Sequence, residues 1–334
     1  MVHLLHQRWY KSSVEMSRRK HKKFLKIIGR ILITIVIIIS VLALALICWY
    51  LYEDNKPSIK EGYRSGIETG GDIEYRYLQD GDYETDKMTI KAADPIKKYT
   101  IYYPTEMLES NKTYPMVLMV NGTGGKATKY EPQFAQLASW GFIVVGTQDK
   151  GTGSGETTIQ TLKYMLEQNK DETSSFYQKI DTENIGVTGF SQGGAATIRS
   201  AYMFEESHYI KTIVPLSPVS EKTAENMTDY PYDISKLECS ILFLAGTSGD
   251  FETETVIPFD EMKRMYDKIR SPKIMARRVG MDHDHMMYSA EGYVTAWFMW
   301  QLKGDEEAAK AFTGEQPEIM SNYMYQDQQI GLEQ

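Results

Sequence analysis

Residues 185–204 read IGVTGFSQGGAATIRSAYMF. A short apolar run enters Gly189-Phe190-Ser191-Gln192-Gly193 and leaves at once into a helix-forming stretch. A serine between two glycines at minus two and plus two, with a strand before it and a helix after, is the pattern of a nucleophile elbow. The turn has to be sharp enough to lift the hydroxyl above a sheet, and glycine removes the Cβ atoms that would strike the flanking strand and helix. Gly194, Ala195 and Ala196 leave further room for helix and sheet to close on each other. Ser191 is therefore the candidate nucleophile, and the alternative is a glycine-rich structural turn.

A serine hydroxyl needs a base. Of six histidines, His3, His6 and His21 lie in a basic N-terminal arm, and His208 follows the helix after Ser191. His283 and His285 remain, in GMDHDH at 280–285, just beyond a strand candidate. His283 is the expected base and His285 the alternative. A carboxylate that orients the imidazole is expected between the serine and the histidine. The run 239–252 ends a buried strand at Gly246 and presents Asp250 four residues later. Asp250 is the expected acid, with Glu252 and Glu254 as competitors.

An oxyanion formed by attack on a carbonyl requires two fixed N–H donors. The first is expected from Gln192, directly after the serine. The second is expected from the glycine-rich loop Asn121-Gly122-Thr123-Gly124-Gly125, at Thr123 with Gly124 next in line. The same loop does not fit a phosphate-binding pattern, because Val120 and Ala127 stand where Gly and Ser/Thr are required. Gly151-Thr-Gly-Ser-Gly155 misses a dinucleotide fingerprint by one position and reads as a loop beside the site. No His, Cys or Asp cluster has metal-ligand spacing, so neither metal nor cofactor is expected.

Outward from these motifs, apolar β-branched runs near 99–103, 116–121, 142–147, 185–188, 213–216, 241–245 and 273–279 alternate with helical stretches. The helical stretches fall near 131–140, 159–168, 193–204, 259–269 and 292–302. Such alternation predicts βα units and a mostly parallel sheet. The aromatic and methionine stripe 293–300 has the spacing of a helix face turned to a core.

The N-terminus has a different composition. Residues 1–30 carry nine Lys/Arg against Glu15 alone, a charge of +8, which leaves −16 on the rest of the chain. An acidic body repels phosphate backbones, so nucleic acid is not an expected partner. Residues 31–50, ILITIVIIISVLALALICWY, contain no charge. About twenty residues at 1.5 Å rise cross a hydrocarbon core of ~30 Å. Trp49, Tyr50 and Tyr52 follow at the interface, and the basic residues all precede the span. The positive-inside rule predicts a cytoplasmic N-terminus and an exported body. A cleaved signal peptide is the competing reading, and it fits less well because the apolar run is long and lacks a small-residue cleavage pattern. Cys48 lies in the span and Cys239 at a strand start, so no disulfide is expected.

The motifs NGTGG at 121–125, GFSQGG at 189–194, AGTSGD at 245–250 and GMDHDH at 280–285 resemble those of the α/β-hydrolase superfamily. The resemblance covers roughly residues 97–312, and its branch is that of dienelactone-hydrolase-like, chlorophyllase-like and cutinase-like (polyester-hydrolase-like) enzymes. It implies an α/β-hydrolase fold with a mostly parallel eight-stranded sheet flanked by helices. It also implies a serine hydrolase working through Ser191, His283 and Asp250, with Gln192 and Thr123 at the oxyanion.

The expected layout is a basic cytoplasmic arm at 1–26, a transmembrane anchor at 27–52, and a stalk with edge strands at 53–88. A catalytic domain follows at 89–312, then a loosely ordered tail at 313–334. The expected function is carboxylic ester hydrolysis outside the membrane, on a small or polymeric ester. Peptidase or thioesterase chemistry, or a non-catalytic binding module of the same fold, are the alternatives.

Overall fold

The β-branched runs pair into a single twisted sheet in a computed structural model that describes residues 2–332. The chain divides at Lys56/Pro57 into two compact units. The first is one helix, α1 (Val2–Asn55). Its segment Val14–Asn55 reaches a mean hydropathy of 3.3 over eighteen residues, and none of that window is buried within the protein. The polar side chains of the apolar run are satisfied inside the helix. Thr34 Oγ1 donates to the Arg30 carbonyl and Ser40 Oγ to that of Val36. A helix surrounded by hydrocarbon has to meet this condition.

The second unit holds nine strands among the described residues: β1 (Thr85–Lys91), β2 (Lys98–Pro104), β3 (Tyr114–Val120), β4 (Ile143–Thr147), β5 (Ile180–Phe190), β6 (Ile210–Leu216), β7 (Ser240–Gly246), β8 (Lys273–Arg278) and β9 (Tyr325–Gly331). They lie in the order β1-β2-β4-β3-β5-β6-β7-β8-β9. The pairs from β4 through β3, β5, β6 and β7 to β8 are parallel, and the pairs at both edges are antiparallel. Chain order reverses between β3 and β5, so the loops after these two strands diverge and leave a crevice between them.

The helices are α2 (Asp72–Leu78), α3 (Glu131–Ser139), α4 (Glu156–Lys170), α5 (Gln192–Ser200), α6 (Glu221–Met227), α7 (Phe259–Lys268), α8 (Glu291–Lys303), α9 (Glu306–Ala309) and α10 (Glu318–Ser321). The sheet buries both faces. Ile159 and Leu162 of α4, Ile198 of α5 and Met262 and Met265 of α7 fill one side. Phe134 and Leu137 of α3 and Trp297 and Phe298 of α8 fill the other. The stripe 293–300 is thus a core face, and buried Trp297 donates from Nε1 to Thr212 Oγ1 at 2.7 Å.

Three expectations need correction. The sheet has nine strands rather than eight. The ninth comes from the expected loose tail, where β9 pairs with β8 and Tyr325 is buried. The expected stalk is folded from residue 57 onward. Ser58 and Ile59 donate their N–H groups to the Lys129 carbonyl, and Ile59, Tyr77 and Leu78 are buried. Residues 73–78, IEYRYL, alternate as an edge strand would, but they form α2 because Glu74, Tyr77 and Leu78 share its buried face. Glu74 is buried against Arg278 at 2.8 Å, each side chain 1% exposed. Tyr325 and Asn322 donate to the same carboxylate, so a single ion pair joins α2, β8 and the C-terminal segment.

Candidate active site

The end of β5 delivers Ser191 at φ 58°, ψ −121°, a region that a residue with a side chain occupies only when its surroundings force it. Its N–H donates to the Leu216 carbonyl at 2.9 Å, and its own carbonyl accepts from Gly194 and Ala195 as α5 begins. The flanking glycines sit against backbone carbonyls. A Cβ on Gly189 would overlap the Gly193 carbonyl, and one on Gly193 would overlap the carbonyl oxygens of Val120 and Asn121.

His283 reaches the serine from the loop after β8. Its Nε2 lies 2.9 Å from Ser191 Oγ, and both residues are buried. Phe190 packs on the imidazole at 4.6 Å between ring centroids, and Phe251 meets it edge-on at 5.0 Å. The histidine loop is drawn against the end of β7, where Thr247 and Ser248 donate to the Met281 carbonyl. Gly246 permits this approach, since a Cβ there would overlap that carbonyl.

The carboxylate on the far side of His283 is Glu252. Its Oε2 stands 2.6 Å from Nδ1, and its Oε1 accepts from Ser217 Oγ at 2.5 Å and from the Gly246 N–H at 2.6 Å. Ionised glutamate is acceptor-only, so Nδ1 carries a proton and Nε2 is left free to accept the serine's. The expected acid, Asp250, is not there. It is exposed at the turn that opens a π-helical segment, Phe251–Val256, while Glu252 on that segment is fully buried. The wider π turn carries the chain past Asp250 and swings the next acid under the imidazole. Exposed Glu254 also faces away. Ser217, the second partner of Glu252, follows β6 in a stretch with no sequence signal that would have singled it out.

His285 is not at the serine. It is exposed and pairs with Asp282 at 2.7 Å, and the hydrogen bonds from His285 hold the Asp282 carboxyl below its usual range. Gln192 opens α5, so its N–H has no acceptor within the helix. In the 121–125 loop the Gly124 N–H is committed to the Lys150 carbonyl and that of Gly125 to Gly122. Thr123 is exposed on the same loop, and neither of these bonds engages its N–H or that of Gly122. The loop at 151–155 borders the site through Tyr230, whose ring rests on Gly153 and whose hydroxyl accepts from Gln192 Nε2 at 2.8 Å. Among the described residues no group of His, Cys, Asp and Glu side chains is arranged to hold a metal ion.

A sheet reversed at β3/β5, with a serine on a positive-φ elbow hydrogen-bonded to a histidine and a buried carboxylate, defines the α/β-hydrolase fold class. A family model described as PETase, PET hydrolase-like, matches residues 69–250, more than half of the chain. This chain belongs to that PET hydrolase-like family. The match includes Ser191 and the 121–125 loop and stops short of Glu252 and His283.

Among curated proteins it is 31% identical over 131 residues to cutinase est1 of Thermobifida alba, covering 38% of this chain and 41% of that one. It is 30% identical over 131 residues to cutinase cut1 of Thermobifida fusca, covering 38% of each. Over 128 residues it is 30% identical to the bis(hydroxyethyl) terephthalate hydrolase of Streptomyces coelicolor, covering 36% of this chain and 37% of that one. The chain thus spans about two fifths of the length of the curated relatives it matches.

Proposed function

We propose that this chain is a membrane-anchored serine hydrolase that cleaves carboxylic esters through an acyl-enzyme intermediate on the outer face of the membrane. The observation that carries the reading is the hydrogen-bonded row Ser191–His283–Glu252, with 2.9 Å and 2.6 Å contacts. In this reaction His283 Nε2 takes the proton of Ser191 as Oγ bonds to the ester carbonyl carbon. Glu252 holds the imidazole in the tautomer this requires and offsets the charge of the imidazolium. The N–H groups of Gln192 and Thr123 receive the oxyanion. His283 then gives its proton to the departing alkoxide as the C–O bond breaks. Water attacks the acyl-serine by the same route in reverse, releasing the acid and restoring Ser191.

Several observations favour an ester as substrate. The relatives' names are those of cutinases and a terephthalate ester hydrolase. Phe190 and Phe251 give His283 an aromatic border, and Phe251 is 59% exposed. The membrane assignment rests on α1, its exposed apolar surface and the basic residues that precede the span.

The test is hydrolysis of soluble p-nitrophenyl esters by the full chain in detergent micelles, beside an amide and a thioester of the same acyl group. The ester should be preferred. Turnover should fall by about 10⁴–10⁶ in Ser191→Ala, the range seen when a nucleophile of this kind is removed. A folded chain that cleaves the amide or thioester in preference would replace the ester reading with the corresponding alternative.

A further inference from the structure

We infer that Tyr63 and Glu291 form a positioning pair for the histidine loop, linking the segment that follows α1 to the helix that follows His283. The inference rests on the hydrolase reading above, since positioning matters only if His283 serves Ser191.

The loop 280–290 joins β8 to α8 and carries His283 near its middle. At its start it is pinned to the end of β7 by bonds from Thr247 and Ser248 to the Met281 carbonyl and from Gly280 N–H to Thr247 Oγ1. At its end there are two attachments. Gln133 of α3 donates from Nε2 to the Met287 carbonyl at 2.9 Å. Tyr63 donates its hydroxyl to Glu291 Oε2, and its ring meets Tyr288 edge-on at 5.8 Å. Tyr63 thus bears on both the last turn of the loop and the first residue of α8. Its own segment is held by the two N–H bonds to Lys129 and by the Arg64–Asp80 ion pair at 2.5 Å.

Glu291 is a costly residue to place there. It is 4% exposed, and its second oxygen, Oε1, has no hydrogen-bond partner among the described residues. It borders an apolar cavity of about 40 Å³ that also touches Gly122, Phe190, Leu216 and Met287. Gly122 belongs to the proposed oxyanion loop, and Phe190 packs on His283. A change of charge on Glu291 is therefore felt by both loops that serve Ser191.

Burial pushes the Glu291 carboxyl up to about 8, against the opposing hydrogen bond from Tyr63 and the attraction of Arg64. Burial and the neighbouring Glu291 also raise the Tyr63 hydroxyl. Other ionisable or polar groups around Glu291 include Asp80 on the same segment as Arg64, Tyr130 and Gln133 on the α3 side, Asn121 and Thr188 across the cavity, and Tyr288 in the loop. Arg64 attracts the carboxyl, and it is already engaged by Asp80. Below pH 8 the pair is neutral and fits the apolar cavity. Above it a carboxylate with one unsatisfied oxygen draws water toward Phe190 and loosens the loop.

The unfolded carboxyl titrates near ~4.3, so the folded state holds an extra proton between that value and about 8. The stability this group contributes is complete below ~4.3 and drains away as pH rises through 8.

The experiment compares the full chain, Tyr63→Phe and Glu291→Gln in detergent micelles across about pH 6 to about 10, a range that brackets the Glu291 ionisation. It reads the fluorophosphonate labelling rate of Ser191, the thermal midpoint, and amide exchange over residues 280–290. The wild type should lose labelling rate on the alkaline side of 8, and Glu291→Gln should not. Tyr63→Phe should label about tenfold more slowly at neutral pH, the size of one lost buried hydrogen bond. The midpoint of Glu291→Gln relative to wild type should climb as pH rises toward 8. An unchanged alkaline limb in Glu291→Gln, or a wild-type rate in Tyr63→Phe, overturns the pairing. If folded wild type does not label at all, the hydrolase reading is what fails. The pair is then judged by exchange alone, where faster exchange confined to 280–290 in Tyr63→Phe supports it and unchanged exchange refutes it.

Discussion

Glu252 holds His283 from a π-helical turn. Its Oε2 is 2.6 Å from Nδ1 while its Oε1 is fixed by Ser217 and the Gly246 N–H. Two donors on Oε1 thus hold the carboxylate from the sheet side while Oε2 faces the imidazole. Asp250, only two residues earlier, is exposed at the mouth of the same turn.

Glu252→Gln should therefore reduce turnover by about 10⁴, as when the acid of such a row becomes an amide and the imidazole adopts the wrong tautomer. Asp250→Asn should stay within about twofold of wild type, the range of a surface substitution. Steady-state kinetics on one soluble ester decides between them. The reverse ranking would return the acid to Asp250.

Ser217→Ala leaves Glu252 with one donor fewer on Oε1. The expected loss is about tenfold in kcat with little change in KM, the cost of one hydrogen bond to a charged group. A change in KM alone would mean that Ser217 acts on substrate binding and not through Glu252.

Gly193→Ala places a methyl group against the Val120 and Asn121 carbonyls, at the root of the 121–125 loop. Displacing that loop should cost about 10²–10³ in turnover, the price of one oxyanion donor. Circular dichroism should show the variant folded. Full activity in Gly193→Ala would remove Thr123 from the proposed oxyanion site.

Glu74→Ala strands Arg278 in the core, where it also donates to the Glu68 carbonyl. Breaking one partner of a buried pair costs about 3–5 kcal/mol, so the denaturant midpoint should fall sharply. Replacing both residues, Glu74→Leu with Arg278→Met, should recover most of that loss. A mild effect in the single variant would mean that the 57–84 segment contributes little to the unit it packs on.

The parts of this protein that were legible in sequence are those where a local steric or chemical demand leaves a mark. The elbow declares itself because Gly189 and Gly193 face backbone carbonyls at overlap distance, so any side chain there has to displace them. His283 follows by elimination among six histidines and by its place after β8. The acid was harder. Three carboxylates crowd 250–254, and only the wide π turn decides which one points inward, a choice made by packing on β7 and not by composition.

α2 and β9 were hidden for opposite reasons. IEYRYL alternates like a strand, but a buried glutamate committed to Arg278 sets a helical face instead. YQDQQIG at 325–331 looks too polar for a sheet, yet an edge strand with one buried residue, Tyr325, has no need of a hydrophobic run.

The most direct measurement is fluorophosphonate labelling of the full chain in detergent micelles, with the adduct mapped by peptide sequencing. Stoichiometric modification is expected at Ser191. Labelling should be absent in Ser191→Ala and slowed by orders of magnitude in His283→Ala and Glu252→Gln, with His285→Ala close to wild type. A folded chain that does not label, or labels equally well without His283, would contradict the claim that this row of three side chains activates the serine.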